Sequence, residues 1–207
     1  MEKWNGKTAI VTGGSSGIGA AVAQDLVCNG MTVINLDRNI DETKVEEINN
    51  KMSTSGKLFS KKCDISDMKS LKETFKWIEE TFSSVSVLVN CAGLGHNIPV
   101  LSDSEDATEK INNTIDVNFT ACVHVTREAV RLIKKSEDYG MIINVASMFG
   151  HAIPFPIVGN VYAATKFAVR AFSEIVRQEL IISGCEKIKI SNVSPGTVKT
   201  NVRIFCW

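Results

Sequence analysis

The chain has 207 residues, of which 44% are hydrophobic, enough for one buried core. Lys+Arg and Asp+Glu each total 23, so no net field draws the chain to nucleic acid or an anionic membrane. No apolar run reaches the roughly 18 residues of a membrane span, and no apolar signal-peptide stretch opens the chain, so a cytoplasmic protein is expected.

In chain order, short β-rich runs alternate with longer amphipathic segments. The start is expected to enter a strand directly, at Thr8–Thr12, followed by a helix over Gly17–Asn29 that Gly30 closes. A second strand at Thr32–Asp37 precedes a charged helix over Asp41–Met52. A third strand, Leu58–Asp64, precedes a helix over Met68–Phe82, and Val85–Asn90 reads as a buried fourth strand. A long helix is expected over Glu105–Lys135, broken near Asn112-Asn113. Gly140–Ala146 is a fifth strand, Asn160–Ser183 a helix ended by Gly184, and Lys187–Ser194 a sixth strand. Repeated β-α units of this kind predict an α/β protein with one doubly wound parallel sheet.

The turn after the first strand, Thr12-Gly13-Gly14-Ser15-Ser16-Gly17-Ile18-Gly19, is glycine-rich where a helix begins. Glycines there permit a tight turn and let backbone N–H groups approach a pyrophosphate. The alternative is a turn that merely packs strand on helix. The second strand ends Asp37-Arg38: the carboxylate suits an unphosphorylated ribose and NAD, whereas the guanidinium suits the 2′-phosphate of NADP. With no Lys or Arg in the turn, the balance tilts to NAD. Asp64, followed by Ile65, could contact the adenine edge or simply cap the next helix.

Tyr162 and Lys166 are four residues apart on a predicted helix and so share a face. A free phenol ionises at about pH 10, and a nearby ammonium is expected to favour the phenolate. Tyr162 could then exchange a proton with an alcohol or carbonyl oxygen during hydride transfer. Ser147, at the end of the fifth strand, sits where a hydroxyl could hold that oxygen. Alone, a Tyr-x-x-x-Lys pair is equally an exposed helical pair; its weight comes from the serine and the glycine turn upstream.

With Asn90-Cys91-Ala92-Gly93, Asn118 within Val-Asn-Phe, and Pro195-Gly196, these motifs resemble the short-chain dehydrogenase/reductases over nearly the whole chain. The resemblance implies one Rossmann domain over residues 1–207 that binds NAD or NADP. It implies that Ser147 orients substrate, that Tyr162 is the acid/base, and that Lys166 binds the nicotinamide ribose and lowers the tyrosine pKa. Asn118 would hold a water extending the proton relay. Asn90, Ala92 and Gly93 would support the sheet beside the cofactor, and Pro195, Gly196, Val198 and Thr200 would fix its nicotinamide end. Lys3-Trp4-Asn5-Gly6-Lys7, Gly150-His151 and Asn160–Lys166 are similar to the insect farnesol-dehydrogenase-like branch. Its members act on lipophilic alcohols or the matching carbonyls and often favour NADP. A homodimer or homotetramer is implied as well.

Other features read blandly. His96, His124 and His151 show no metal-ligand spacing, although His151 could line the substrate entrance. The six cysteines form no disulfide framework, and Cys91 and Cys122 are expected to fill core space. Met148–Val158 could be a pocket wall or a packed loop. After Pro195-Gly196 the sequence is shorter than the family pattern. The sixth strand is therefore expected at an open sheet edge that Val202, Ile204, Phe205 and Trp207 could patch. A weakly active chain that only binds a dinucleotide or a partner is the alternative to a working oxidoreductase.

Overall fold

The computed structural model describes residues 2–136, 138–153, 155 and 160–200, and the apolar tail beyond Thr200 lies outside them. The chain enters through a 3-10 turn, Glu2–Trp4, where a direct entry into the strand was expected. Then come β1 (Thr8–Thr12), α1 (Gly17–Cys28), β2 (Thr32–Asp37), α2 (Glu42–Lys51), β3 (Lys57–Lys62), α3 (Met68–Thr81) and β4 (Val87–Asn90). They are followed by α4 (Ala107–Ile115), a π-turn (Asp116–Thr120), α5 (Ala121–Lys135), β5 (Gly140–Val145), α6 (Tyr162–Ile182) and β6 (Ile188–Val193).

All strand pairs are parallel, in the order β3-β2-β1-β4-β5-β6. Among the described residues β6 is an edge strand, as expected. Every residue of β1 is buried. Alternate side chains serve opposite faces: Ile10 joins Leu71, Phe75, Val125, Ile133 and Leu180 of α3, α5 and α6. Ala9 and Val11 join Ala23 and Val27 of α1, with Val45 and Ile48 of α2 packed against them. This two-sided burial is why the central strands read as unbroken apolar runs.

The long helix departs from expectation. It starts at Ala107, and its irregularity falls at Asp116–Thr120 rather than near Asn112-Asn113. There the Ala121 N–H reaches back to the Asp116 carbonyl, one residue further than in an α-helix. α6 starts at Tyr162 instead of Asn160, because Asn160 adopts a left-handed backbone (φ 46°) that no helix can include. No helix among the described residues is long and apolar enough to cross a membrane.

A buried polar chain ties the cleft-bearing strands to their helices. The Asn90 amide donates to Thr126 Oγ1 of α5 (2.9 Å) and to Asn144 Oδ1 of β5 (2.8 Å). Asn144 donates in turn to Ser173 Oγ of α6 at 2.8 Å. That hydroxyl lies 2.8 Å from both Asn192 Oδ1 of β6 and the Val169 carbonyl. Removing the centre strands groups that have no water to turn to, at about 1–3 kcal/mol each. Asn144→Leu should therefore lower unfolding free energy by about 2–4 kcal/mol in urea denaturation.

Candidate active site

The turn between β1 and α1 is built on positions where a side chain has no room. Gly13 and Gly17 have φ of 70° and 52°, which favour glycine. A Cβ on Gly19 would stand 2.2 Å from the Gly13 carbonyl oxygen, and one on Gly14 would stand 2.5 Å from Asn35 Oδ1. Ser16 caps α1 with no side-chain hydrogen bond, and the first turn carries no acidic residue. Close backbone approach at an open helix N-terminus is what a pyrophosphate requires, so the residues fit a dinucleotide.

The edge of this cradle is braced from β2. Asp37 accepts the Ser15 N–H (Oδ2, 3.1 Å) and the Asn39 N–H (Oδ1, 3.1 Å). Its carboxylate is thus fixed at the rim, with Arg38 exposed beside it. Asn35, which sequence reasoning missed, is buried and donates to Ser15 Oγ (3.0 Å) and Ser60 Oγ (3.2 Å). A polar residue amid the apolar run of β2 was the available signal. Asp64 folds onto Ser66, accepting its N–H and hydroxyl, while α3 is capped by Asp67. The expected alternative, Asp64 as the cap, does not hold. Ile65 is a core residue, and neither it nor Asp64 lines the cleft.

The other end of the cleft lies where β5 and α6 meet. The cleft, of about 290 Å³, brings Gly13, Ser16, Gly17, Ile18 and Gly19 together with Ala92, Gly93, Ser147, Tyr162 and Lys166. Pro195, Gly196, Val198 and Thr200 also line it, and the Thr200 side chain comes so close to Gly17 that a Cβ there would stand 3.1 Å away. The Pro195 carbonyl accepts the Met148 N–H (2.9 Å), tying this segment to the strand-end serine. Thr12 Oγ1 accepts the N–H groups of Cys91 and Ala92 at 3.1 Å each, which seats the 91–93 turn on β1.

Asn90 and Asn118 are placed differently from expectation. Asn90 turns its amide into the polar chain behind the sheet and does not line the cleft. Asn118, inside the π-turn, is also buried and outside the lining. Its Oδ1 accepts the Leu94 N–H (2.8 Å), and its Nδ2 donates to the Leu94 carbonyl (2.8 Å) and Thr165 Oγ1 (3.2 Å). The side chain is a brace between the loop after β4 and α6, so a water would have to be held by another part of this residue.

Lys166 is 4% exposed, donates to the Val145 carbonyl at 2.9 Å, and lies 5.6 Å from the Tyr162 ring centroid. Burial lowers its pKa. Tyr162 is buried too, and desolvation raises its pKa, partly offset by a hydrogen bond with Ser147. The expectation that Lys166 makes the phenol more acidic is not met in the free chain: loss of water is the larger effect, and what offsets it is the Ser147 hydroxyl. Ser147 also accepts the Phe149 N–H at 3.2 Å, which fixes its orientation. Burial pushes the thiols of Cys91 and Cys122 up to about 11, so neither is a reactive thiolate at neutral pH. His151 is bonded to Ser194 (2.9 Å) on the exposed surface and does not line the cleft.

The short chain dehydrogenase family matches residues 7–205. The chain belongs to that family. It is 37% identical to a farnesol dehydrogenase of Aedes aegypti, over 98% of this chain and 81% of the relative. It is 40% identical to dehydrogenase/reductase SDR family member 11 of Gallus gallus, over 97% and 78% respectively. Among solved structures it is similar to a Burkholderia phymatum short-chain dehydrogenase/reductase in complex with NAD, with a TM-score of 0.82 and 25% identity. That match covers 98% of this chain and 69% of the other. A gluconate 5-dehydrogenase-like protein from Beutenbergia cavernae with bound NADP gives a TM-score of 0.81 at 26% identity, covering 96% and 75%. The chain is therefore a Rossmann-type oxidoreductase with a nicotinamide dinucleotide, NAD(P), as cofactor.

Gly19→Ala should weaken NAD(H) and NADP(H) alike by tenfold or more, about 1.4 kcal/mol, as read by calorimetric titration. Its Cβ meets backbone, which cannot move aside.

Proposed function

We propose that the chain interconverts a lipophilic alcohol and its carbonyl, with Tyr162 as the acid–base residue. The observation that carries this is the placement of Tyr162, Ser147 and Lys166 in one cleft with the glycine cradle. The turn 13–19 would hold the pyrophosphate, Lys166 the nicotinamide ribose, and Pro195, Gly196, Val198 and Thr200 the nicotinamide end. Asp37, fixed at the rim, would accept the ribose hydroxyls and repel a 2′-phosphate, which favours NAD. Arg38 leaves NADP usable. When bound, the dinucleotide supplies or accepts the hydride.

The chain's own residues handle the oxygen and its proton. Ser147 holds the substrate oxygen within reach of Tyr162. In reduction the neutral phenol gives its proton to the oxygen; in oxidation the phenolate removes it. Burial keeps the phenol protonated in the free chain, which is the form reduction needs. Met148, Phe149 and Val198 line the cleft, and Ile153 and Phe155 follow as exposed apolar side chains. The apolar side that Met148, Phe149 and Val198 give the cleft supports a hydrocarbon substrate, and the farnesol dehydrogenase relative suggests an isoprenoid alcohol or aldehyde. Of the expected wall over Met148–Val158, residues 154 and 156–158 lie outside the described residues.

Turnover of farnesol or a matching aldehyde should fall by about 10²–10⁴ in Tyr162→Phe, with dinucleotide affinity unchanged within a factor of about two. Undiminished turnover in that variant would remove Tyr162 from the chemistry. In wild-type protein at saturating NAD⁺, kcat/KM for alcohol oxidation should climb with pH and level off above the Tyr162 pKa of the nucleotide complex, which lies below its raised value in the free chain. The reductive direction should fall over the same range. A pH-independent oxidation rate between pH 6 and about 10 would contradict a tyrosine base.

A further inference from the structure

Asn160 is the one non-glycine residue with a positive φ among the described residues, and it is 6% exposed, two positions before Tyr162. A left-handed backbone at an ordinary residue costs about 1–3 kcal/mol and persists only where its surroundings enforce it. Asparagine tolerates this region better than alanine, because its short amide can bond locally. Here the amide bonds at a distance: Nδ2 donates to Thr114 Oγ1 of α4 at 3.4 Å, while Oδ1 has no partner among the described residues. Thr114 is itself fixed, donating to the Lys110 carbonyl at 2.8 Å. One helical turn further on, Asn118 donates to Thr165 Oγ1, and that hydroxyl donates to the Tyr162 carbonyl at 2.7 Å. Two ties from successive turns of one helix thus grip α6 on either side of Tyr162.

We propose that Asn160 is a positioning residue for Tyr162, setting the entry of α6 through its left-handed backbone and its tie to Thr114. It touches neither substrate nor cofactor in this account. The inference rests on the reading of Tyr162 as the acid–base residue. Without Asn160 the first turn of α6 is free to re-form around a right-handed residue 160, which would re-aim the phenol away from Ser147. Displacements of about 1 Å in such groups cost roughly 10²-fold in rate.

The test uses Asn160→Ala, Asn160→Gly and Thr114→Val. Glycine keeps the left-handed backbone and loses only the amide; valine at 114 removes only the acceptor. Asn160→Ala should lower kcat about 10²-fold with dinucleotide Kd unchanged, which also shows that the variant is folded. Asn160→Gly and Thr114→Val should stay within about tenfold of wild type. A second reading needs no substrate. The sequence has two tyrosines, so in a Tyr139→Phe background the phenolate absorbance reports Tyr162 alone. Tyr139 is exposed and away from the cleft. Adding Asn160→Ala should bring the Tyr162 midpoint down toward that of free tyrosine, and Asn160→Gly should leave it raised. Unmoved kcat and midpoint in Asn160→Ala, or a glycine variant as impaired as alanine, would overturn the proposal. Tyr162→Phe run alongside separates the two ideas: full activity there defeats the acid–base reading, whatever Asn160 does.

Discussion

Lys166 is a cation almost wholly withdrawn from water, and the site is arranged around that fact. A buried ammonium is tolerated only when something replaces its hydration. The Val145 carbonyl supplies one hydrogen bond and the Tyr162 ring supplies a π face. Both contacts require the end of β5 and the first turns of α6 to lie side by side. That same juxtaposition sets Tyr162 against Ser147. The two contacts that offset the lysine's lost hydration are therefore also contacts that bring the three side chains together.

The rest of the fold makes this meeting rigid. Asn90, Asn144, Ser173 and Asn192 link β4, β5, α6 and β6 through one run of buried hydrogen bonds. From the other side, the π-turn directs Asn118 at both Leu94 and Thr165. A regular α-helix would rotate that amide by the extra residue the π-turn contains, away from one of its partners. The irregularity in the long helix is thus part of what holds α6. At the far end of the cleft, Asp37 and Asn35 hold Ser15 and keep the glycine cradle open.

Much of this was legible in the chain itself. β1 and β2 end at the residues expected, because a glycine turn and an Asp-Arg pair stop apolar runs abruptly. Gly30 and Gly184 close their helices with φ of 83° and 67°, as their positions suggested. The cleft likewise gathers the glycine turn, Ser147, Tyr162 and Lys166. What the sequence concealed depends on three-dimensional partners. The place of the π-turn follows from what Asn118 must reach, not from the Asn112-Asn113 pair. Asn35 and Asn144 read as blemishes in strands until the polar neighbours on adjacent elements are aligned with them. The sign of the Tyr162 shift follows from loss of water set against a hydrogen bond with Ser147, and only burial decides it.

The central claim is that burial holds the Tyr162 phenol neutral in the free chain, and that the positive charge of bound NAD⁺ would favour its phenolate. The most direct test is an absorbance titration of Tyr162 in Tyr139→Phe protein, with and without saturating NAD⁺. The account predicts a midpoint above that of a free phenol without nucleotide and a clear fall when NAD⁺ is bound. A midpoint that does not move on binding would contradict it.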